Sequence, residues 1–329
     1  MERYLLSALL LSIPLALTGQ TQPKSGAPII DVHLHAFAAD DFGKPGLSVC
    51  PGNNEKLWLG NDPQQANRQL ESCPQALVAP LTDGELMRQS LSALEQFNIR
   101  AVASGQPEQV EKWKAASPNR IIPALLFGFA GGGTSPSAMR DKFRHGDFSV
   151  LGEVVTQYEG ISPSDLILDP YLAMAEQMDI PVGIHMGLGP PGVAYQDSSN
   201  YRAKLSNPLL LEDALIRHPK LRVYVMHAGW PMLDEMISLL QAHPQVYVDV
   251  AVIDWYIPRK EFHSYLRRLI EAGFGKRVMF GSDQMLWPQA ISIAIEGINS
   301  AEFLTPEQKR DILYNNAARF FRLQQVGTK

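Results

Sequence analysis

Cysteine is nearly missing from this chain: Cys50 and Cys73 are the only two among 329 residues. That excludes a disulfide-rich scaffold and a cysteine-built zinc module. Positive charge is not in excess, since 29 Lys and Arg face 34 Asp and Glu for a net charge of −5. Bulk attraction to phosphate backbones or anionic lipid is therefore absent, and nucleic acid is not an expected partner. Beyond the N-terminal leader no apolar run approaches the ~18 residues of a spanning helix. There is no internal repeat or linker, and no nucleotide-binding glycine fingerprint follows the first strand-like run.

What is present is an ordinary globular composition, 45% apolar and 19% charged, with ample material for a core. The apolar run Leu5 to Leu17 behind Arg3 reads as a secretory signal, so residues 1–20 are expected to be a leader and the mature protein to be exported, periplasmic or secreted. No stable membrane partner is expected once the leader is cleaved. In an oxidising compartment the lone pair Cys50 and Cys73 is expected to form a disulfide.

From Ile29 onward, eight β-branched runs alternate with segments of helical spacing. The runs are Pro28 to Ala36, Ile99 to Ser104, Ile121 to Phe127, Val150 to Val155, Pro181 to Met186, Leu221 to His227, Val246 to Val252, and Arg277 to Asp283. Most are continuously apolar, as parallel strands covered on both faces must be. Asp169 before Pro170 reads as an N-cap followed by proline at the first helical position. Although length alone suggests two domains, removing the leader and an insertion from Phe37 to Leu81 leaves ~260 residues, the size of one (β/α)₈ barrel. The expected fold is a TIM-like barrel over residues 21–329 with that insertion, after the first strand, over the catalytic mouth. An open doubly wound sheet is the alternative.

Barrel active sites form at the C-terminal strand ends, and five runs carry polar groups there. His33 and His35 lie two apart on the first, so strand periodicity turns both to one side. Glu153 follows on the fourth, His185 ends the fifth, His227 ends the sixth and Asp283 closes the eighth. Each alone has an ordinary reading as a core histidine, a salt-bridge partner or a helix cap. Converging at one mouth, they read as a metal centre. His145, His218, His243 and His263 fall near helix ends or in polar surroundings and read as structural or surface residues.

Around the mouth, Tyr195, Tyr201 and Arg202 in the loop after the fifth strand, with Trp230, Trp255 and Trp287 after the sixth, seventh and eighth, are candidates for a partly apolar substrate pocket with one cationic contact. Ordinary loop packing is an equal reading for each. Gly131-Gly132-Gly133 after the third strand offers backbone amides to an anion, but no phosphate-loop lysine follows, and a mobile loop is the better reading.

The sequences Ile30-Asp31-Val32-His33-Leu34-His35, Pro181-Val182-Gly183-Ile184-His185, Met226-His227-Ala228-Gly229 and Phe280-Gly281-Ser282-Asp283, with Asn316-Ala317-Ala318-Arg319, resemble the amidohydrolase superfamily. Within it they are most similar to the branch of aminocarboxymuconate-semialdehyde decarboxylase-like enzymes. The resemblance implies that His33, His35, His185 and Asp283 bind a divalent metal, usually zinc, and that His227 acts beside it. Other branches bridge two metals with a carboxylated lysine or a glutamate from the fourth strand. No lysine lies in this strand, which leaves Glu153 as a ligand or as a partner behind one. One ion is favoured, with two as the alternative.

The expected activity is metal-dependent hydrolysis of an ester, lactone or amide of a small molecule, with Asp283 and His227 as the catalytic pair. A non-hydrolytic decarboxylase of the same branch is the main alternative. A TatD-like nuclease is disfavoured by Gly281-Ser282-Asp283 and by the charge, and a catalytically inactive exported metal- or ligand-binding protein is the reading of another class. Nothing in the sequence sets the substrate or the oligomeric state.

Overall fold

The computed structural model describes residues 26–52, 63, 73–130, 133–187, 189–196 and 198–323. The expected leader, the middle of the insertion (53–62 and 64–72) and Gly131-Gly132 lie outside the described residues. Eight parallel strands, β1 (Ile29–His35), β2 (Ile99–Ser104), β3 (Ile121–Phe127), β4 (Val150–Val154), β5 (Val182–His185), β6 (Val223–Met226), β7 (Val246–Asp249) and β8 (Val278–Met279), follow one another in sequence order. Helices α1 (Asp83–Gln96), α2 (Pro107–Ala116), α3 (Pro136–His145), α4 (Asp169–Met178), α5 (Glu212–Arg217), α6 (Leu233–Ala242), α7 (Arg259–Glu271) and α8 (Ala290–Asn299) alternate with them. The fold is a nearly closed (β/α)₈ barrel.

Each strand divides its side chains between two cores, as the period-two geometry requires. Ile99, Ala101 and Ala103 of β2 join the layer beneath the helices, while Val102 joins Ile30, Val32, Ile122, Val150 and Tyr224 inside the barrel. Tyr314, Ala317 and Phe320, from the last helical segment, close the interior core from the N-terminal side. Asn316, of the Asn-Ala-Ala-Arg motif, donates to the carbonyls of Gly275 and Val278 at the start of β8.

Several boundaries differ from expectation. The eighth run leaves the ladder after Met279, because the next residues turn to β1: Val32 N–H donates to Phe280 O, His35 N–H to Gln284 O, and Asp283 N–H to His33 O. These bonds complete the ring. Asp169 is the first helical residue of α4, not its cap, which is Leu168. Its carboxylate instead accepts from Arg217 Nε at 2.6 Å, beside His218 Nε2 at 3.0 Å.

Two β-bulges set which side chains enter the mouth. Between Asp31 and Leu34 the register with β2 slips by one residue, and between Leu151 and Val154 β4 slips against both neighbours. Such an insertion re-aims the side chains beyond it. In β1 the inward phase passes from Ile30 and Val32 to His33 and His35, leaving Leu34 in the outer core. In β4 it brings Glu153 into the mouth.

The insertion's described parts lie against the catalytic rim. A short hairpin pairs Ser48–Val49 with Leu77–Val78, Gly52 N–H donates to Tyr256 O, and Trp287 Nε1 donates to Leu47 O at 2.9 Å. Cys50 and Cys73 are joined as a disulfide. At a sequence separation of 23, the link should contribute ~3 kcal/mol by restricting the unfolded chain. Protein from an oxidising compartment, denatured without reductant, is expected to titrate with no free thiol. Cys50→Ser should lower its denaturation free energy by roughly that amount.

Asp31 is the clamp at the ring's closure. One oxygen accepts from His33 N–H and from Ser282 N–H, each at 3.0 Å, and the other from Ser282 Oγ at 2.6 Å. Burial pushes its carboxyl up to about 7, against the pull of these donors. Asp31→Ala would strand three buried donors, and unfolding free energy by denaturant titration should fall by about 3 kcal/mol or more. An unchanged midpoint and slope would show that the closure rests elsewhere.

Candidate metal centre

All six residues expected at the centre converge, and each is at least nine-tenths buried. Glu153 lies in the middle. Its Oε2 is 3.4 Å from His35 Nε2 and 3.6 Å from His33 Nε2. Its Oε1 is 2.5 Å from His185 Nδ1 and 3.8 Å from His227 Nε2. Asp283 Oδ1 closes the first side, 3.1 Å from His35 Nε2 and 3.6 Å from His33 Nε2. His227 Nε2 and His185 Nδ1 are 3.1 Å apart.

The donors are oriented from behind. His33 Nδ1 faces Asp249 Oδ2 at 3.2 Å, and His35 Nδ1 faces Ser104 Oγ at 3.0 Å. His227 Nδ1 faces Ala251 O at 3.0 Å, while its backbone N–H donates to Asp249 Oδ1 at 2.9 Å. Asp249, fully buried at the end of β7, thus positions two of the imidazoles. With Nδ1–H directed at a carboxylate, His33 and His185 each keep a lone pair on Nε2. Those two nitrogens are buried and have no hydrogen-bond partner.

That is a donor set suited to a cation: His33 Nε2 and His35 Nε2 face the carboxylate oxygens of Glu153 and Asp283 across gaps a metal would fill, while His185 meets this ring through the Nδ1 it turns to Glu153. Ligand atoms of His33, His35 and Asp283, and likewise of His33, Glu153 and His227, lie within 4.8 Å of one another. His33, His35, Glu153 and Asp283 fit the metal expected, whereas His185, expected as a ligand, belongs to neither group.

Electrostatics separate the members. Burial pushes Glu153 up, but the close contact with His185 and the hydrogen bonds of His185, His227 and His33 hold it well below the usual carboxylate range. Burial likewise opposes ionisation of Asp283, yet His33 and His35 hold it low. His185 is pushed down, chiefly by burial. His227 is raised despite its burial, with the Glu153 contact the leading favourable cause.

Backbone geometry is special at the same places. His227 has φ 59° and Asp283 φ 46°, left-handed values uncommon for such residues and concentrated at functional sites. Gly187 and Gly281 let the chain pass close by. A Cβ on Gly187 would lie 2.6 Å from His227 Cβ, and one on Gly281 2.8 Å from His33 Cβ.

The candidate pocket residues divide. Tyr201 is buried, its hydroxyl accepting from Gly189 N–H at 2.9 Å, and its ring lies 5.4 Å from that of Tyr158. Arg202 donates to the carbonyls of Ser199 and Tyr201, and Tyr195 is exposed. Trp255 is buried and donates to Ser282 O at 2.7 Å, supporting the Asp283 turn. Trp230 reaches Glu261, and Trp287 holds the insertion. His218, His243 and His263 are engaged with Asp169, Glu212 and Gly297 O, and His145 is exposed, as expected. At the edge of the Gly131-Gly132-Gly133 loop, Phe129 and Ala130 donate their N–H groups to Glu159. This internal carboxylate anchors the entry to the loop.

Sequence reasoning missed Asp249, Tyr158 and Phe37. Asp249 was visible as the one charge inside the apolar run Val246 to Val252. Phe37 stacks on His35 with centroids 4.3 Å apart and planes within 8°. Tyr158 lies 4.9 Å from the His185 ring. No local signal marks these two rings, because loop geometry sets their positions.

A family model described as amidohydrolase matches residues 30–323. Among solved structures, a probable 2-pyrone-4,6-dicarboxylic acid hydrolase of Acinetobacter baumannii aligns at TM-score 0.57 and 15% identity, covering 90% of this chain and 100% of that one. The 5-carboxyvanillate decarboxylase LigW of Sphingomonas paucimobilis aligns at TM-score 0.53 and 14% identity, covering 90% and 99%. A curated relative, Protein fluG of Emericella nidulans, is 21% identical over 168 residues, 46% of this chain but only 18% of its own length.

Asp249→Ala should weaken metal binding about 10–100-fold by removing the group that orients His33 and His227. Competition against a fluorescent chelator measures this. Unchanged affinity would mean that the imidazoles are held without it.

Proposed function

We propose that this chain, which belongs to the amidohydrolase family and is a metal-dependent enzyme, hydrolyses an ester, lactone or amide bond of a small molecule. One observation carries the reading. Two titratable groups on the same donor ring are pushed in opposite directions, each against its burial: His33 and His35 lower Asp283, and the Glu153 contact raises His227. Such a split assigns a base and an acid. Hydrolysis uses both, because the attacking water must lose a proton to a base and the oxyanion that forms needs a hydrogen-bond donor.

His33, His35, His185, Asp283 and Glu153 would hold a divalent ion, which when bound would lower the pKa of water and polarise a carbonyl. Zinc is proposed for this donor chemistry, with one ion favoured and Glu153, between two clusters, able to serve a second. Asp283 accepts the proton of the attacking water and delivers it to the leaving group. His227, with Nδ1–H fixed on Ala251 O, presents Nε2–H to the oxyanion developing on the substrate. Its left-handed backbone and its bond to Asp249 hold that direction. Burial keeps bulk water from weakening either interaction.

A decarboxylase is the second reading, and a specific feature favours it. Phe37 and Tyr158 set aromatic rings against His35 and His185, with Tyr201 beside Tyr158, suited to a planar aromatic acid. Export to an oxidising compartment is proposed as well, supported by the apolar leader and the Cys50–Cys73 disulfide.

A panel of lactones, esters, amides and carboxylated aromatics, scored for proton and carbon dioxide release by metal-loaded protein, decides between the two. Proton release without carbon dioxide is expected. Carbon dioxide release without net water consumption would overturn hydrolysis. On the responding substrate His227→Asn should reduce turnover by roughly 10²-fold or more while elemental analysis finds the metal retained. Full activity, or loss of the metal, would remove His227 from this role.

A further inference from the structure

We propose that the opposite, N-terminal mouth of the barrel carries an anion site built on Arg100, which takes a small oxyanion of carboxylate or phosphate type. Arg100 is the second residue of β2 and shares the inward phase of Val102. It lines a cavity of about 260 Å³ together with Lys114, Ile122, Ser149, Arg222 and Phe321. Every strand residue on this wall belongs to the start of its strand. The site is therefore at the end of the barrel remote from the metal centre.

Arg100 as a whole is half-buried, but one of its N–H groups is cut off from any acceptor. Its Nε is buried and has no hydrogen-bond partner, and among the described residues it makes no ion pair. The arginines around it are matched. Arg120 donates to the carbonyls of Leu94 and Ile99, and Arg310 donates to Pro28 O. Arg222 donates to Asp179 Oδ1 at 2.7 Å and to Phe320 O at 2.8 Å. Asp179, the carboxylate that lines the same cavity, is thus taken up by Arg222 and also by Arg322.

Lys114 completes the asymmetry. Its Nζ donates at 2.7 Å to the carbonyls of Pro118 and Ile121, which leaves one of three protons unassigned. Burial and the Arg100 charge both push its pKa down. Arg100 and Lys114 therefore share this mouth without a carboxylate of their own, since Asp179 is engaged by Arg222 and Arg322. A buried N–H without an acceptor costs about 1–3 kcal/mol. An oxyanion accepts from the planar fork in charge-assisted bonds and neutralises both cations at once. Water can do only the first. The Ile122 and Phe321 side chains offer the carbon skeleton of a short organic acid an apolar floor.

Isothermal titration of the metal-loaded full chain with inorganic phosphate, and separately with succinate, in chloride-matched buffer tests the site. Saturable binding of one equivalent of at least one anion is expected. The responding arm identifies phosphate or carboxylate chemistry. Arg100→Gln should weaken that binding 10-fold or more while leaving metal content and turnover unchanged. Glu153→Gln, altered at the other mouth, should retain it. If Arg100→Gln does not fold, Arg100→Lys keeps the charge without the fork and should still bind several-fold more weakly. No saturable binding of either anion, or equal binding by wild type and the Arg100 variants, overturns the proposal. Binding lost instead in Glu153→Gln also overturns it, by placing the anion on the metal.

Discussion

Three carboxylates, Glu153, Asp249 and Asp283, are buried together at one end of the barrel. An isolated buried carboxylate is so costly that a protein would keep it neutral unless cations or strong donors surround it. Here the surroundings are imidazoles. His33, His35, His185 and His227 divide the carboxylates among them, and the unpartnered Nε2 of His33, between Glu153 and Asp283, marks where a further positive charge belongs. The metal requirement of the family is thus already written into the charge balance of this interior.

Holding such a ring in place demands precision that strands alone do not supply. The bulges in β1 and β4 turn His33, His35 and Glu153 inward, where an unbroken strand would turn Leu34 inward instead. Left-handed backbone at His227 and Asp283 and close passage at Gly187 and Gly281 do the same for the remaining donors. Strain of this sort costs about 1–3 kcal/mol per residue and persists only where the surroundings over-determine it. The Asp31–Ser282 clamp and the Trp255 bond to Ser282 O provide that support beside Asp283. Stability and reactivity therefore meet at the seam between β1 and β8.

The barrel was legible because parallel strands covered on both faces must be apolar throughout. The same rule exposed the ligands, since a histidine or carboxylate ending such a run has few reasons to be there. Asp249 escaped because the seventh apolar run continues past it to Val252, which hides the strand end. The bulges escaped because strict alternation places two residues two apart on one face, with or without an extra residue upstream. The cap assigned to Asp169 failed for another reason. A tertiary partner, Arg217, competes for its carboxylate, and propensity along the chain carries no information about that partner.

The rings that would meet a substrate come from loops, which explains why the sequence spoke to chemistry more clearly than to specificity. Phe37 begins the insertion after β1, and its stacking on His35 depends on where that insertion is tethered. Trp287 secures it at Leu47, Gly52 secures it at Tyr256, and the disulfide ties Cys50 to Cys73, ahead of the returning strand Leu77–Val78. Tyr158 instead is carried by a turn of 3-10 helix directly after β4. Its neighbour Gln157 bonds to Ser206 Oγ and Gly187 O, which lock the loops after β4 and β5 together. The aromatic wall is accordingly rigid on the Tyr158 side and depends on a cross-linked insertion on the Phe37 side. A change in the insertion can alter which molecule is admitted without moving any group that handles its protons.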